Sequence, residues 1–175
     1  MRILGIDPGL RLTGYGCVDA CGLSATLVEA GVFRLARGGS KSGGGASLSS
    51  RLVELDTDFR AALERLRPEL VAIEGLFAHY KHPATAITMG HARGVLMLAV
   101  QRAGLPLIEM KPRAVKKSLT GFGGADKVQM QRAIQAEFAL PEPPSPPDVA
   151  DALAIALCAL RRHAAGAVGL SAARR

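Results

Sequence analysis

The chain has 175 residues, of which 49% are hydrophobic, and its formal net charge at pH 7 is +7. This length predicts a single domain with a full hydrophobic core, and the apolar fraction excludes a disordered chain. The positive charge favours a polyanionic partner, of which nucleic acid is the commonest. Only 4% of the residues are aromatic. That scarcity argues against a protein that stacks base after base of a single strand.

The sequence predicts neither a membrane-spanning helix nor a signal peptide. No apolar run approaches the roughly 20 residues that a membrane-spanning helix needs. The opening residues, MRILGIDPG, contain too short an apolar stretch for a signal peptide. We therefore expect a cytoplasmic protein without a membrane partner. The three cysteines show no CxxC spacing, and we expect them to be reduced structural thiols.

Three strands are predicted at the start of the chain. Residues 2–7 form an apolar run that is closed by an aspartate and a Pro-Gly turn, which is typical of a short buried strand. Residues 13–20 and 26–35 follow, with turn residues between them, and predict the second and third strands of an antiparallel meander. Residues 36–50 are rich in Gly and Ser and predict a flexible loop.

The rest of the chain alternates between helices and strands. Apolar residues at three- and four-residue steps predict a helix that is ended by Pro68. They are Leu48, Leu52, Leu55, Phe59, Leu63 and Leu66. Short apolar runs predict two further strands, and the intervening segments predict helices. The predicted strands are 70–77 and 105–110, and the predicted helices are 84–104, 112–119, 126–138 and 148–163. Residues 1–163 are thus expected to form one domain, followed by a mobile basic tail, 164–175.

This order of elements predicts the architecture. The first, fourth and fifth strands are linked through helices, as parallel strands are. We therefore expect an α/β fold with a mixed five-stranded sheet and helices on both faces.

Four carboxylates stand at the ends of predicted strands or at the start of a predicted helix. Asp7 and Glu74 each stand near the end of an apolar strand, and parallel neighbours would bring them to the same edge of the sheet. Asp148 and Asp151 are three residues apart, so a helix places them on one face. Taken alone, an Asp at a helix start is explained first by helix capping. Four clustered carboxylates would instead suit Mg²⁺, and two such ions could hydrolyse a phosphodiester.

Five motifs together resemble the RuvC family of Holliday junction resolvases. They are GIDPGLRLTGYG (5–16), AIEGLF (72–77), GHARG (90–94), GFGGADKVQMQ (121–131) and DVADALAIAL (148–157). The resemblance implies a ribonuclease H-like fold and a homodimer that makes paired symmetric nicks in four-way DNA junctions during recombination and repair. It also implies two Mg²⁺ ions per subunit, with Mn²⁺ as an alternative, and association with the RuvA–RuvB branch-migration complex.

The resemblance also assigns roles to individual residues. The expected catalytic and metal-binding residues are Asp7, Glu74, Asp148 and Asp151, and the expected DNA-binding residues are Lys116, Lys127 and Phe77. Taken singly, the two lysines would also suit a solvated surface, and Phe77 would also suit the core. Arg93 is a further candidate for DNA binding, since an arginine there could bind phosphate or cap a helix. Gly75 and His91 depart from the common family pattern, which leaves the DNA contacts made at those two positions open. The predicted helix 84–104 is apolar over much of its circumference and is the expected source of the dimer interface. The band expected to form that interface consists of Ala86, Met89, Gly90, Arg93 and Met97.

Other functions fit parts of the pattern. A nuclease of the same fold could act on RNA or on other branched nucleic acid. A kinase-like or actin-like ATP-binding domain shares the strand-Asp-x-Gly opening, although such proteins usually have two related halves. A protein that binds junctions without cleaving them would not need four acids.

Overall fold

The computed structural model describes residues 1–21, 24–35, 46–75 and 83–172. Within these ranges, five strands form one sheet with the spatial order β3-β2-β1-β4-β5. The strands are β1 (Arg2–Asp7), β2 (Leu12–Cys21), β3 (Ser24–Arg34), β4 (Leu70–Glu74) and β5 (Leu107–Met110).

Strand pairing makes the sheet mixed, as predicted. β1 pairs with β2 and β2 with β3 in antiparallel register, whereas β1 pairs with β4 and β4 with β5 in parallel. The parallel pairs are joined through helices, because a parallel connection has to cross from one end of the sheet to the other. The carboxyl ends of β1, β4 and β5 therefore meet at one edge.

Helices cover both faces of this sheet. They are α1 (Leu48–Leu66), α2 (Pro83–Arg102), α3 (Pro112–Thr120), α4 (Lys127–Glu137) and α5 (Pro147–Ala172). One buried cluster joins the sheet to α3, α4 and α5, and a second joins it to α1 and α2. Each strand supplies both clusters because successive side chains point to opposite faces. In β1, for example, Ile3 lies in the first cluster and Leu4 in the second.

α5 lies across the sheet and packs on all five strands. Its close approach depends on glycines in β1 and β2. A Cβ built at Gly5 would lie 2.2 Å from the carbonyl oxygen of Ala152, and one at Gly16 would lie 2.7 Å from the Leu153 side chain. A side chain at either position would therefore push the helix away from the sheet.

The boundaries differ most from the sequence prediction in three places. α1 begins at Leu48, the first leucine of the predicted helix, so the predicted loop 36–50 ends earlier than expected. The Ser47 side chain caps the helix there by accepting a hydrogen bond from the Ser50 amide. Strand β4 ends at Glu74, earlier than predicted. α5 continues to Ala172, past the predicted helix end at 163, through a stretch rich in alanine. Mobility of the tail stays a prediction, and residues 36–45 of the loop lie outside the described residues.

Two further observations concern the whole chain. In the part that the structure describes, no helix is both long enough and apolar enough to cross a membrane. The cysteines are all free thiols, as expected, with Cys17 and Cys158 buried and Cys21 exposed.

Candidate active site

Asp7 and Glu74 lie side by side on one face of the sheet. Ile6 of β1 pairs with Ile73 of β4, and the two acids are the next residues along these parallel strands. Alternation along the strands directs both side chains to the face that α5 covers, since Gly5 contacts α5 and Ala72 lies in the same cluster.

The first turn of α5 brings two more carboxylates to this edge. Gly14 is paired with Asp7 across β1 and β2, and a Cβ at Gly14 would lie 2.1 Å from the carbonyl oxygen of Asp148. The start of α5 therefore rests directly beside the end of β1. Asp148 and Asp151 follow Pro147, the first residue of the helix, and both are partly buried.

The turn after β1 is fixed by a buried threonine. The Thr13 hydroxyl donates to the Gly9 carbonyl oxygen at 2.5 Å and accepts from the Gly9 amide at 3.2 Å. This hydrogen bonding anchors the Pro-Gly turn that follows Asp7. It holds the end of β1 in place without adding another charge.

The four acids interact electrostatically. Burial raises the pKa of Asp7 well above its usual range, and the Glu74, Asp151 and Asp148 carboxylates raise it further. Burial, followed by the Asp151 carboxylate, raises the pKa of Glu74 to about 7. Burial is also the main cause of the raised pKa of Asp151, to which Asp148 adds. Negative charge is therefore concentrated where solvent is largely excluded, an arrangement that a cation would relieve.

Two lysines oppose this negative charge. Lys127, the first residue of α4, lowers the pKa of both Asp7 and Asp151, and Lys116 of α3 lowers the pKa of Glu74 and Asp151. The Lys116 ammonium also donates to the Ala125 carbonyl oxygen at 2.7 Å. Both lysines are within electrostatic range of the acids. The structure thus places these two predicted DNA-binding residues close to the predicted metal-binding residues.

Arg93 lies beneath the site. Its guanidinium is 7% exposed, donates to the Glu74 carbonyl oxygen and forms an ion pair with Glu109 at 2.6 Å. The backbone of Glu74 is thus held from the α2 side of the sheet. A DNA contact by Arg93 stays a prediction, and nucleic acid would reach this side chain only if those bonds opened.

The donor chemistry suits a hard divalent cation, since all four acids offer carboxylate oxygens. Among the described residues, no group of three or more His, Cys, Asp or Glu side chains converges closely enough to hold a metal ion as the side chains stand. The acids therefore share a neighbourhood rather than a completed coordination sphere. Small side-chain rotations would be needed to complete the site, and the attraction of a bound cation would offset the repulsion among the acids.

The predicted site residues are only partly brought together. The structure groups the four acids with Lys116 and Lys127 and places Arg93 behind them, while Phe77 lies outside the described residues. Sequence reasoning missed the glycines that seat α5. Their signal was present in the alternate spacing of Gly14 and Gly16 within a strand, where glycine marks a close approach.

Acids at the carboxyl edge of a mixed five-stranded sheet, with lysines beside them, define a nuclease domain of the ribonuclease H-like class. The model of the family described as crossover junction endodeoxyribonuclease RuvC matches residues 3–159. A crossover junction endodeoxyribonuclease RuvC of Chloroflexus aggregans is 44% identical over 158 residues, which are 90% of this chain and 92% of that protein.

Solved structures agree with this result. The structure of Thermus thermophilus RuvC in complex with a Holliday junction substrate matches with a TM-score of 0.83 at 32% identity, covering 95% of this chain and 96% of that one. The yeast mitochondrial Holliday junction resolvase Ydc2 shares the fold, with a TM-score of 0.64 at 15% identity over 91% of this chain and 77% of that one.

The chain belongs to the RuvC family of crossover junction endodeoxyribonucleases. It is an enzyme of the nuclease class, as the sequence motifs predicted. The ribonuclease H-like fold is likewise confirmed. Membership of the RuvC family does not favour the two alternative functions, an RNA nuclease and an ATP-binding domain.

Proposed function

We propose that the four carboxylates are the catalytic centre of a Holliday junction resolvase that works in DNA recombination and repair. The observation that carries this proposal is the grouping of Asp7, Glu74, Asp148 and Asp151 at one sheet edge, where burial, and then the charge of neighbouring acids, raises the pKa of three of them. Acids this crowded are costly for the folded chain unless they bind a cation.

Mg²⁺ is the proposed cofactor, two ions per subunit, with Mn²⁺ as an alternative. The ligands would be the four carboxylates. When bound, such ions supply an activated water and stabilise the leaving oxygen of the phosphodiester. The chain itself contributes fixed acid positions, through β1, β4 and the first turn of α5.

Lys116 and Lys127 are proposed to hold the phosphate beside these acids. A cationic side chain placed there attracts the DNA backbone and limits repulsion between phosphate and carboxylate. The Lys116 bond to the Ala125 carbonyl oxygen keeps its ammonium oriented at the base of the site. Phe77 is included among the proposed DNA contacts on the family resemblance, and Arg93 because its cation lies at the backbone of Glu74.

A homodimer is proposed because two symmetric cuts need two sites. α2 supports it with an outward stripe in which Ile87 is 63% and Leu98 is 50% exposed. His91 and Gly94 lie between them at helical spacing and are exposed as well. A Cβ at Gly94 would meet nothing within 4 Å, so a second helix could approach closely there.

The wider setting follows from the family. We propose that four-way junction DNA is the substrate and that the enzyme acts in the cytoplasm. Association with a RuvA–RuvB branch-migration complex is proposed on the same ground.

A substrate comparison tests the function. Purified protein is incubated with a synthetic four-way junction, a linear duplex and an RNA duplex, with Mg²⁺ or with EDTA. We expect nicks at symmetric positions in the junction only, and none with EDTA. Equal cleavage of the linear duplex, or cleavage in EDTA, would contradict the proposal.

Substitutions then test the residues. Asp7→Asn, Glu74→Gln and Asp151→Asn should each lower the cleavage rate by at least about a hundredfold, while junction binding is retained, because they remove acids rather than phosphate contacts. The matched control is Glu64→Gln, an exposed residue of α1 on the opposite face of the sheet. Normal nicking by folded Asp151→Asn protein would remove that acid from the site.

A further inference from the structure

The connection between α3 and α4, residues 121–126, exposes an aromatic side chain. Phe122 is 64% exposed, although it is one of few aromatic residues in the chain. Single exposed apolar residues are common and need no explanation by themselves. What sets Phe122 apart is how its backbone is held and which charges surround it.

The backbone of this turn is tightly hydrogen-bonded. Gly121 has a φ of +76°, and its amide closes α3 on the Lys117 carbonyl oxygen at 2.9 Å. The Phe122 amide donates to the Thr120 hydroxyl oxygen at 3.2 Å, and the Phe122 carbonyl oxygen accepts from the Ala125 amide at 3.4 Å. Both polar backbone groups of Phe122 are therefore engaged, so the side chain projects from a defined position.

The ring rests on a glycine. A Cβ built at Gly124 would lie 2.7 Å from the Phe122 ring, so any other residue there would displace it. Glycine thus supports the ring from below while most of its surface stays open to solvent. A position built in this way is suited to present a flat apolar surface.

The surroundings are basic. Residues 111–127 contain five Lys or Arg side chains and a single acid, Asp126. That acid caps α4, because its carboxylate accepts from the Gln129 amide at 2.8 Å while its own amide donates to the Gln129 side chain at 2.9 Å. The exposed cations on this surface are Lys111, Arg113, Lys117 and Lys127.

The turn is also tied to the acid site. The Lys116 ammonium donates to the Ala125 carbonyl oxygen, within the turn, at 2.7 Å. Lys127 is the first residue of α4 and follows the turn directly. The turn that carries Phe122 is therefore attached to both lysines of the site.

We propose that Phe122 is a stacking platform for a nucleobase of the junction next to the cleaved phosphate. The proposal rests on the proposed function of the acid site. A nucleobase fits this surface because it combines a flat apolar face with a phosphate that the surrounding cations attract. An apolar protein partner would gain nothing from so many cations, since they would lose hydration when it covered them.

Substitutions at Phe122 test the stacking. Junction affinity is measured with Ca²⁺ in place of Mg²⁺ for Phe122→Ala, Phe122→Leu and Phe122→Tyr. We expect Ala and Leu each to lose about tenfold in affinity and Tyr to retain it, because stacking needs an aromatic face. The slope of affinity against salt should not change, as no charge is removed. The control is Val128→Ala, an apolar residue of α4 that is 54% exposed.

Photo-crosslinking locates the base directly. Junctions carrying 5-iodouracil at successive positions near the cut are irradiated with wild-type protein, and we expect a crosslink that maps to Phe122 and is lost in Phe122→Leu. Wild-type affinity in Phe122→Leu, an equal loss in Val128→Ala, or a shift of Phe122→Ala to monomer in sedimentation would each overturn the proposal. The last of these results would assign Phe122 to contact with a second copy of the chain.

The two proposals can fail separately. Wild-type protein that does not nick a junction in Mg²⁺ would contradict the proposed function, whatever Phe122 does. Normal metal-dependent nicking together with full affinity in Phe122→Leu would overturn the stacking platform alone.

Discussion

Gly14 of β2 lies directly under the carbonyl oxygen of Asp148, so close that a Cβ at residue 14 would be 2.1 Å from that oxygen. The contact joins the strand beside Asp7 to the first turn of α5. Because Gly14 has no side chain, the first turn of α5 can approach β2 closely, and this approach sets the position of Asp148. This relationship leads to the first prediction.

Gly14→Ala should destabilise the protein and displace the start of α5. The added methyl group meets backbone atoms, which no change of rotamer can relieve, so we expect a loss of about 3 kcal/mol in the free energy of unfolding. Denaturant unfolding measures it. Gly90→Ala is the control, since its Cβ would meet nothing within 4 Å and Ala is favoured over Gly within a helix. Equal stability of the two variants would contradict the tight contact.

Lys127→Ala should weaken junction binding in a salt-dependent way. If its ammonium contacts phosphate, the slope of log affinity against log salt should decrease by about one unit. Single-turnover cleavage should slow more than affinity falls if the contacted phosphate is the one cleaved. Lys116→Ala should behave similarly, with an added loss of the bond to Ala125. Unchanged slope and rate would leave Lys127 as a solvated surface residue.

Leu98→Glu should dissociate the proposed dimer. The exposed stripe on α2 would bring this carboxylate into an apolar interface, so we expect the dissociation constant to rise at least about tenfold. Sedimentation equilibrium at micromolar protein measures it. Val53→Glu on α1 is the control, because Val53 is 66% exposed and lies on another helix. A wild-type protein that is monomeric at these concentrations would contradict the interface.

Asp19→Asn should reduce stability at neutral pH but not in acid. The Arg2 guanidinium donates to Asp19 at 2.9 and 2.8 Å and holds the pKa of that carboxyl below its usual value. Because the folded-state pKa is the lower one, the stabilisation is complete above about pH 4 and is lost as the pH falls through the folded pKa. The free energy of unfolding of both proteins is measured from pH 7 to pH 2, and the difference between them should become smaller as the pH falls. A difference that does not change with pH would contradict the contribution of the Arg2–Asp19 ion pair.

Local pattern in the sequence was enough to predict the sheet and the position of its acids. An apolar run closed by Asp7 and a Pro-Gly turn defines β1, and a similar run ending near Glu74 defines β4. Parallel neighbours end at the same edge, so their terminal residues meet there. The meeting of Asp7 and Glu74 followed from this, whereas Asp148 and Asp151 join them because α5 packs across the sheet. The roles of all four are proposals.

The orientation of α2 on the sheet could not be predicted from the sequence in this way. The band predicted for the dimer interface included Arg93 and Met97, yet the structure buries Arg93 and packs Met97 against the core. The outward stripe instead runs through Ile87 and Leu98. A helix that is apolar over most of its circumference carries no periodicity, so its sequence does not specify which side faces the sheet.

The sequence by itself determined the elements, their order and the residues that carry charge, because those depend on short-range periodicity and turn chemistry. Only the tertiary structure decided how closely α5 approaches Gly14, that the guanidinium of Arg93 lies beneath Glu74, and that the Phe122 side chain stays exposed. These distances and exposures depend on how separate elements of the chain pack together. They are set by packing, which fixes one arrangement among many that the same local patterns allow.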